Sequence, residues 1–92
     1  MEQQYPLSGL KVLDFSRVLA GPFAGRMLAD LGADVVKVEP PDGDVTRLWG
    51  HIVGGLPGYY HQQNAGKRTI CVDLRQQQAK ALVLELVAEA DI

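Results

Sequence analysis

The sequence predicts an α/β fold built as a Rossmann-like parallel βαβ sheet, and three observations carry that prediction. Two short apolar runs rich in β-forming residues, 10–15 and 35–38, flank a segment in which Phe23, Met27, Leu28 and Leu31 recur at helical spacing. Glycines stand at both ends of that segment, Gly21 where a turn must open it and Gly32 where a left-handed residue would close it. A second stripe, Ala79, Leu82, Val83, Leu86 and Val87, supplies a helix to cover another sheet face.

Taken in order, residues 1–8 form a polar lead with one proline, expected as a frayed end or an arm along the surface. Leu10, Val12, Leu13 and Phe15 make the first strand, with Asp14 and Ser16 where it hands over to a loop. Pro22 has a fixed φ and no N–H, which suits a first helical turn, so a helix is expected to start there and to present Phe23, Met27, Leu28 and Leu31 on one face. Val35, Val36 and Val38 resume the strand pattern. Because a helix joins the two strands, they should be parallel with a right-handed crossover, and the ligand crevice should lie at their carboxyl ends, residues 16–21 and 39–44.

Pro40 and Pro41 stop the second strand, and Asp42, Gly43 and Asp44 mark a turn. Glycines 50, 54, 55 and 58 with Pro57 read as a long mobile loop. Residues 59–63 suit a turn of helix, 64–66 a turn and 69–74 a third strand, with Cys71 as a small buried apolar residue within it. From Gln76 the closing helix is expected to lay Leu82, Val83, Leu86 and Val87 on Val12, Val36 and Ile70, and residues 90–92 look like the beginning of a further strand.

Composition narrows the function classes. Ninety-two residues allow one small domain, 1–92, burying about 60–65% of its unfolded surface. With 47% hydrophobic and 22% charged residues, the chain has a folding composition. A net charge of −2 gives no general attraction for nucleic acid or an acidic membrane surface, so anion sites must be local. A single cysteine excludes an internal disulfide and a cysteine metal cluster. No basic region followed by an apolar core opens the sequence, and no apolar run reaches membrane-spanning length, so a cytoplasmic protein is expected.

The turn before the first helix reads Gly21-x-x-x-Gly25 rather than G-x-G-x-x-G, and no phosphate-loop motif occurs, which argues against dinucleotide binding even with Glu39 ending the second strand. There is no nucleophile elbow and no paired-histidine zinc motif; His51 and His61 sit in or beside the glycine-rich loop. Asp14 and Asp34 read more readily as turn formers than as acid–base groups. The cations Arg17, Lys37, Arg47, Lys67, Arg68 and Arg75 fall in or beside the strand ends, where a pyrophosphate and a ribose phosphate would need compensating charge, although such a mixture also suits an ordinary surface.

PLSGLKVLDFSRVLAGPFAGRMLADLGADVVKVEPPDGD over residues 6–44, then Arg47, then NAGKRTICVDL over 64–74, resembles the amino-terminal segment of the class III coenzyme A transferases, the family of formyl-CoA and carnitine-CoA transferases. The resemblance implies that this chain is the amino-terminal part of a longer enzyme's coenzyme-binding domain. It implies coenzyme A or an acyl-CoA as substrate, no metal, and an intertwined homodimer. Its chemistry would pass coenzyme A between carboxylic acids through an aspartyl thioester, on an aspartate that matches none of those here. By the same resemblance Val18, Leu19 and Ala20 line the thioester and adenosine, Val72 and Arg75 border the adenine and phosphates, and Trp49 and Tyr59 shape the substrate pocket. A coenzyme-contacting arginine of the family is replaced by Pro40. The alternatives are an α-methylacyl-CoA racemase-like enzyme, in which the segment 48–63 would be short, and a non-catalytic α/β module that assembles through its sheet edge.

Overall fold

The computed structural model describes residues 5–92. Three parallel strands, β1 (Lys11–Asp14), β2 (Asp34–Glu39) and a later strand Arg68–Cys71, form one sheet with β2 at its centre. Helix α1 (Ala20–Asp30) links the first two strands. A one-turn 3-10 helix (Val45–Leu48), a hairpin of β3 (Ile52–Val53) and β4 (Leu56–Pro57), and α2 (Gly58–Asn64) lead into the third sheet strand, which is β5; α3 (Gln77–Glu89) follows.

Alternation along the strands sends side chains to two faces, each with its own core. Val12, Ala33 and Val35 pack under α1 with Leu7, Leu10, Leu28 and Ala29. Val38, Val72 and Val83 pack on the α3 side with Leu13, Ile70 and Ala79. Leu7 is anchored by its amide to the Leu31 carbonyl at 2.8 Å, so the lead is folded back from Tyr5 onward; residues 1–4 lie outside the described residues.

Helix α1 begins two residues before the expected Pro22. Proline fits there because the first four helical N–H groups have no intrahelical acceptor. Its buried face is Pro22 and Gly25, whereas Phe23, Met27 and Leu31 stand 49%, 51% and 44% exposed, so the expected four-residue apolar face is split, with only Leu28 turned inward. Small residues occupy the sheet side because a Cβ on Gly25 would come within 2.7 Å of Asp14 Oδ2 and 3.0 Å of Lys67 Cε. Gly32, at φ 105°, closes the helix as expected.

On the other face, α3 docks through Val83, which is 6% exposed, and Ala79, while Leu82 and Val87 are about half exposed. Val12 belongs to the opposite face, because strand alternation places it under α1; Leu86 faces Val36 across a cavity of about 200 Å³. Val83→Ala is therefore expected to cost about 2 kcal/mol in a urea titration, two buried methyl groups plus a cavity, and more than Leu86→Ala. An equal or larger loss from Leu86→Ala would refute this docking.

Three further expectations change. The loop 50–58 contains a hairpin, with Gly54 (φ 62°) and Gly55 (φ 87°) supplying the two left-handed residues of its tight turn. Strand β5 is shorter than 69–74, since a turn bonding the Gln76 amide to the Asp73 carbonyl ends it. Cys71 is exposed rather than buried, because β5 is a sheet edge and its Sγ lies beside the Pro40 carbonyl at 3.5 Å. Residues 91–92 run along the free edge of β1 as expected of a further strand, with the Ile92 amide donating to Lys11 O and the Leu13 amide to Ile92 O at 3.2 and 2.9 Å, the pattern of a parallel ladder.

Candidate functional site

The carboxyl ends of β1 and β2 carry charges that are buried, and each is met by a residue from a later segment. Asp14, 7% exposed, faces Lys67 Nζ at 2.7 Å, outside hydrogen-bond geometry, and accepts at its other oxygen from the Ser16 amide at 2.7 Å and the Ser16 hydroxyl. Lys37, with no exposed surface, pairs with Asp44 at 3.0 Å. Glu39 holds Arg47 through its Nη2 at 2.6 Å, and Tyr60 completes the group, donating to Glu39 at 3.2 Å and accepting from Arg47 at 2.7 Å. The Arg47 guanidinium also lies 4.2 Å from the centre of the Tyr60 ring, a cation–π arrangement.

These partners decide the protonation states. Burial alone would raise all three carboxyls, yet the Lys67 ammonium and the Ser16 donors hold Asp14 below its ordinary 3.8. The Thr46 donors and Lys37 do the same for Asp44, and Arg47 with the Asp44 amide for Glu39. Burial and the adjacent Glu39 charge push the Tyr60 hydroxyl up to about 12. Burial lowers Lys67 in spite of Asp14. Glu39 is thus a structural anion and not a free ribose acceptor.

Above this charged floor runs the loop from β1 to α1. Val18 adopts φ 77°, and it is the one non-glycine residue at positive φ among the described residues. For a β-branched side chain that conformation costs about 1–3 kcal/mol. Beside the loop opens a crevice of about 550 Å³, with Phe15 and Arg17 from the loop, Pro40 and Pro41 from the end of β2, and Val72 and Arg75 from the segment after β5. It occupies the position where open parallel sheets bind ligands.

Two of the residues expected to border a coenzyme, Val72 and Arg75, line this crevice. Val18, Leu19 and Ala20 do not line it; they form the turn that carries the chain from Arg17 into α1. Trp49 and Tyr59 lie outside it and contact each other, ring centres 5.9 Å apart and tilted by 53°. Pro40 and Pro41 give the crevice an apolar wall.

Of the six cations considered as phosphate contacts, five already hold carboxylates: Lys37, Arg47 and Lys67 in the buried pairs, Arg68 with Asp34 at 2.7 Å, and Arg75 with Asp73 at 2.9 Å. Arg17 is exposed and meets no carboxylate among the described residues. Arg75 is 86% exposed at its side chain, so an anion in the crevice competes with Asp73 for a solvated partner. Sequence reasoning missed Lys37 and Lys67 as wholly buried groups and Tyr60 as a partner of Glu39. The signal for the first was available, since alternation from Val35 puts Lys37 on the face under α1.

Among the described residues no group of three His, Cys, Asp or Glu side chains could hold a metal ion, and no helix is long and apolar enough to cross a membrane. The description CoA-transferase family III matches residues 7–92. A succinate–glutarate CoA-transferase of Agrobacterium fabrum is 53% identical over 95 residues, which cover 95% of this chain and 24% of that protein. A human succinyl-CoA:glutarate CoA-transferase is 47% identical over 89 residues, covering 95% of this chain and 20% of its own. The crystal structure of a CAIB/BAIF family protein from Brucella suis superposes with a TM-score of 0.90 at 52% identity, covering 97% of this chain and 25% of that one. The chain spans about a quarter of the length of the relatives it resembles. With nearly its whole length matched, in sequence and in three dimensions, the chain belongs to CoA-transferase family III.

Proposed function

We propose that this chain forms the coenzyme-binding βαβ part, residues 1–92, of an enzyme that moves coenzyme A between carboxylic acids. The observation that supports this reading best is the crevice at the strand ends, where Arg17 and Arg75 flank an apolar wall that includes Val72 and Pro40. In this reading the two guanidiniums take the coenzyme phosphates, Val72 and Pro40 face the adenine, and the backbone of Val18, Leu19 and Ala20 meets the thioester. The start of α1 adds N–H groups that lack intrahelical acceptors. Trp49 and Tyr59 shape the acyl pocket as a tilted aromatic pair. Acyl transfer would pass through an aspartyl-CoA thioester, and the nucleophilic aspartate would come from outside these residues. Asp14 and Asp44 are buried in ion pairs, and Asp34 and Asp73 hold Arg68 and Arg75.

Titration of coenzyme A into isotope-labelled protein tests this. Amide shifts are expected in residues 15–20 and 72–75, with dissociation in about the millimolar range because the crevice is open on one side. Arg17→Ala and Arg75→Ala should each weaken binding. Shifts confined to other regions, or titrations identical in parent and both variants, would rule the site out.

A further inference from the structure

The left-handed turn at Val18 needs a cause, because a strained residue persists only where its surroundings over-determine it. Those surroundings centre on Lys37. Its ammonium donates to the Ser16 carbonyl at 2.8 Å and pairs with Asp44 at 3.0 Å. Asp44 Oδ2 in turn accepts from the Val18 amide at 3.4 Å, while Oδ1 accepts from the Thr46 amide and hydroxyl at 2.9 and 2.8 Å. The pair therefore grips the backbone on both sides of the turn, at Ser16 C=O and Val18 N–H, and fastens it to the 3-10 helix through the buried Thr46. With no exposed surface, Lys37 cannot act as the phosphate contact its charge suggests. Two well-packed apolar residues could serve stability as well as a buried ion pair does. They could not hold two backbone groups of a strained turn.

We propose that Lys37 is a positioning residue whose ammonium, held between the Ser16 carbonyl and the Asp44 carboxylate, imposes the left-handed turn at Val18. It thereby sets the shape in which residues 18–20 meet the coenzyme. The second half of this inference rests on the coenzyme reading of the crevice; the first half does not.

The test replaces both charges at once, Lys37→Met with Asp44→Asn, because methionine alone would strand a buried carboxylate and asparagine can still cap Thr46. The double variant is expected to lose the strong amide-to-α-proton NOE that positive φ gives Val18, and to bind coenzyme A about tenfold more weakly. Adding Val18→Gly should restore much of the affinity, since glycine takes the left-handed turn without strain. A merely stabilising pair predicts no such rescue. A double variant that fails to fold while the triple variant folds supports the proposal; failure of both overturns it, as does an unchanged Val18 NOE in a folded double variant. If the parent protein binds no coenzyme A, the coenzyme reading falls and the NOE alone decides the role of Lys37.

Discussion

Lys67→Met is expected to cost about 3–5 kcal/mol of folding stability, the range for breaking a buried pair and leaving one charge behind. Lys67 and Asp14 have side chains 0% and 5% exposed. The same ammonium donates to the Pro22 carbonyl at 2.9 Å and Asn64 Oδ1 at 2.8 Å, so one group ties β1, α1 and α2 together. Without it, the Asp14 carboxyl loses one of the partners that hold it down and should titrate higher than in the parent, although the Ser16 donors remain, a rise that carbon-detected titration would register. Replacing both partners by apolar residues, Lys67→Met with Asp14→Leu, should recover most of the loss. A single-variant loss below about 1 kcal/mol, or no recovery in the double variant, would show that the pair carries little of the stability.

The parallel βαβ unit was legible because each of its signals is local: a β run, a turn glycine, a helical spacing, a stop at Gly32. What lay beyond reach were the side-chain pairings that depend on register. Lys67 meets Asp14, and Arg68 meets Asp34, because β5 returns beside β2 in parallel, with Arg68 opposite Val36. The split face of α1 has the same origin. A helix that must pass over a buried ion pair uses Pro22 and Gly25 there, so its large apolar residues Phe23 and Met27 turn outward against the simple periodicity. Cys71 went wrong for a related reason, since only the strand order reveals that β5 is an edge.

The candidate site was legible in its position and only partly in its members. The crossover rule placed it at the strand ends, and Arg17, Val72 and Arg75 do converge there. Counting cations overstated the charge free to meet a phosphate, because Asp14, Glu39, Asp34, Asp44 and Asp73 each take one. The buried pairs instead form a rigid base under the loop. Under the proposed coenzyme reading, the buried ion pairs would supply shape and the exposed guanidiniums contact.

The protein is expected to lose stability at both ends of the pH scale, through different members of this base. Asp14, Glu39 and Asp44 all have folded-state pKa values below the ordinary 3.8, 4.5 and 3.8, because their partners outweigh the burial that would raise them. A depressed carboxyl contributes stability that is complete above its unfolded pKa and lost as pH falls through its folded value. Unfolding free energy should therefore be level above about pH 5 and decline below it. At the alkaline end Tyr60 acts in the opposite sense. Its hydroxyl, at about 12 when folded against 10.0 when free, keeps its proton longer in the folded chain, so stability falls as pH rises through that window. Lys67, whose folded value lies below 10.5, contributes an opposing slope there, which is why the alkaline test needs a difference between variants. Chemical denaturation at a series of pH values should show a shallower acid limb in Asp44→Asn and a shallower alkaline limb in Tyr60→Phe. Limbs identical to the parent's in both variants would mean that these buried groups do not govern the response to pH, whatever their geometry.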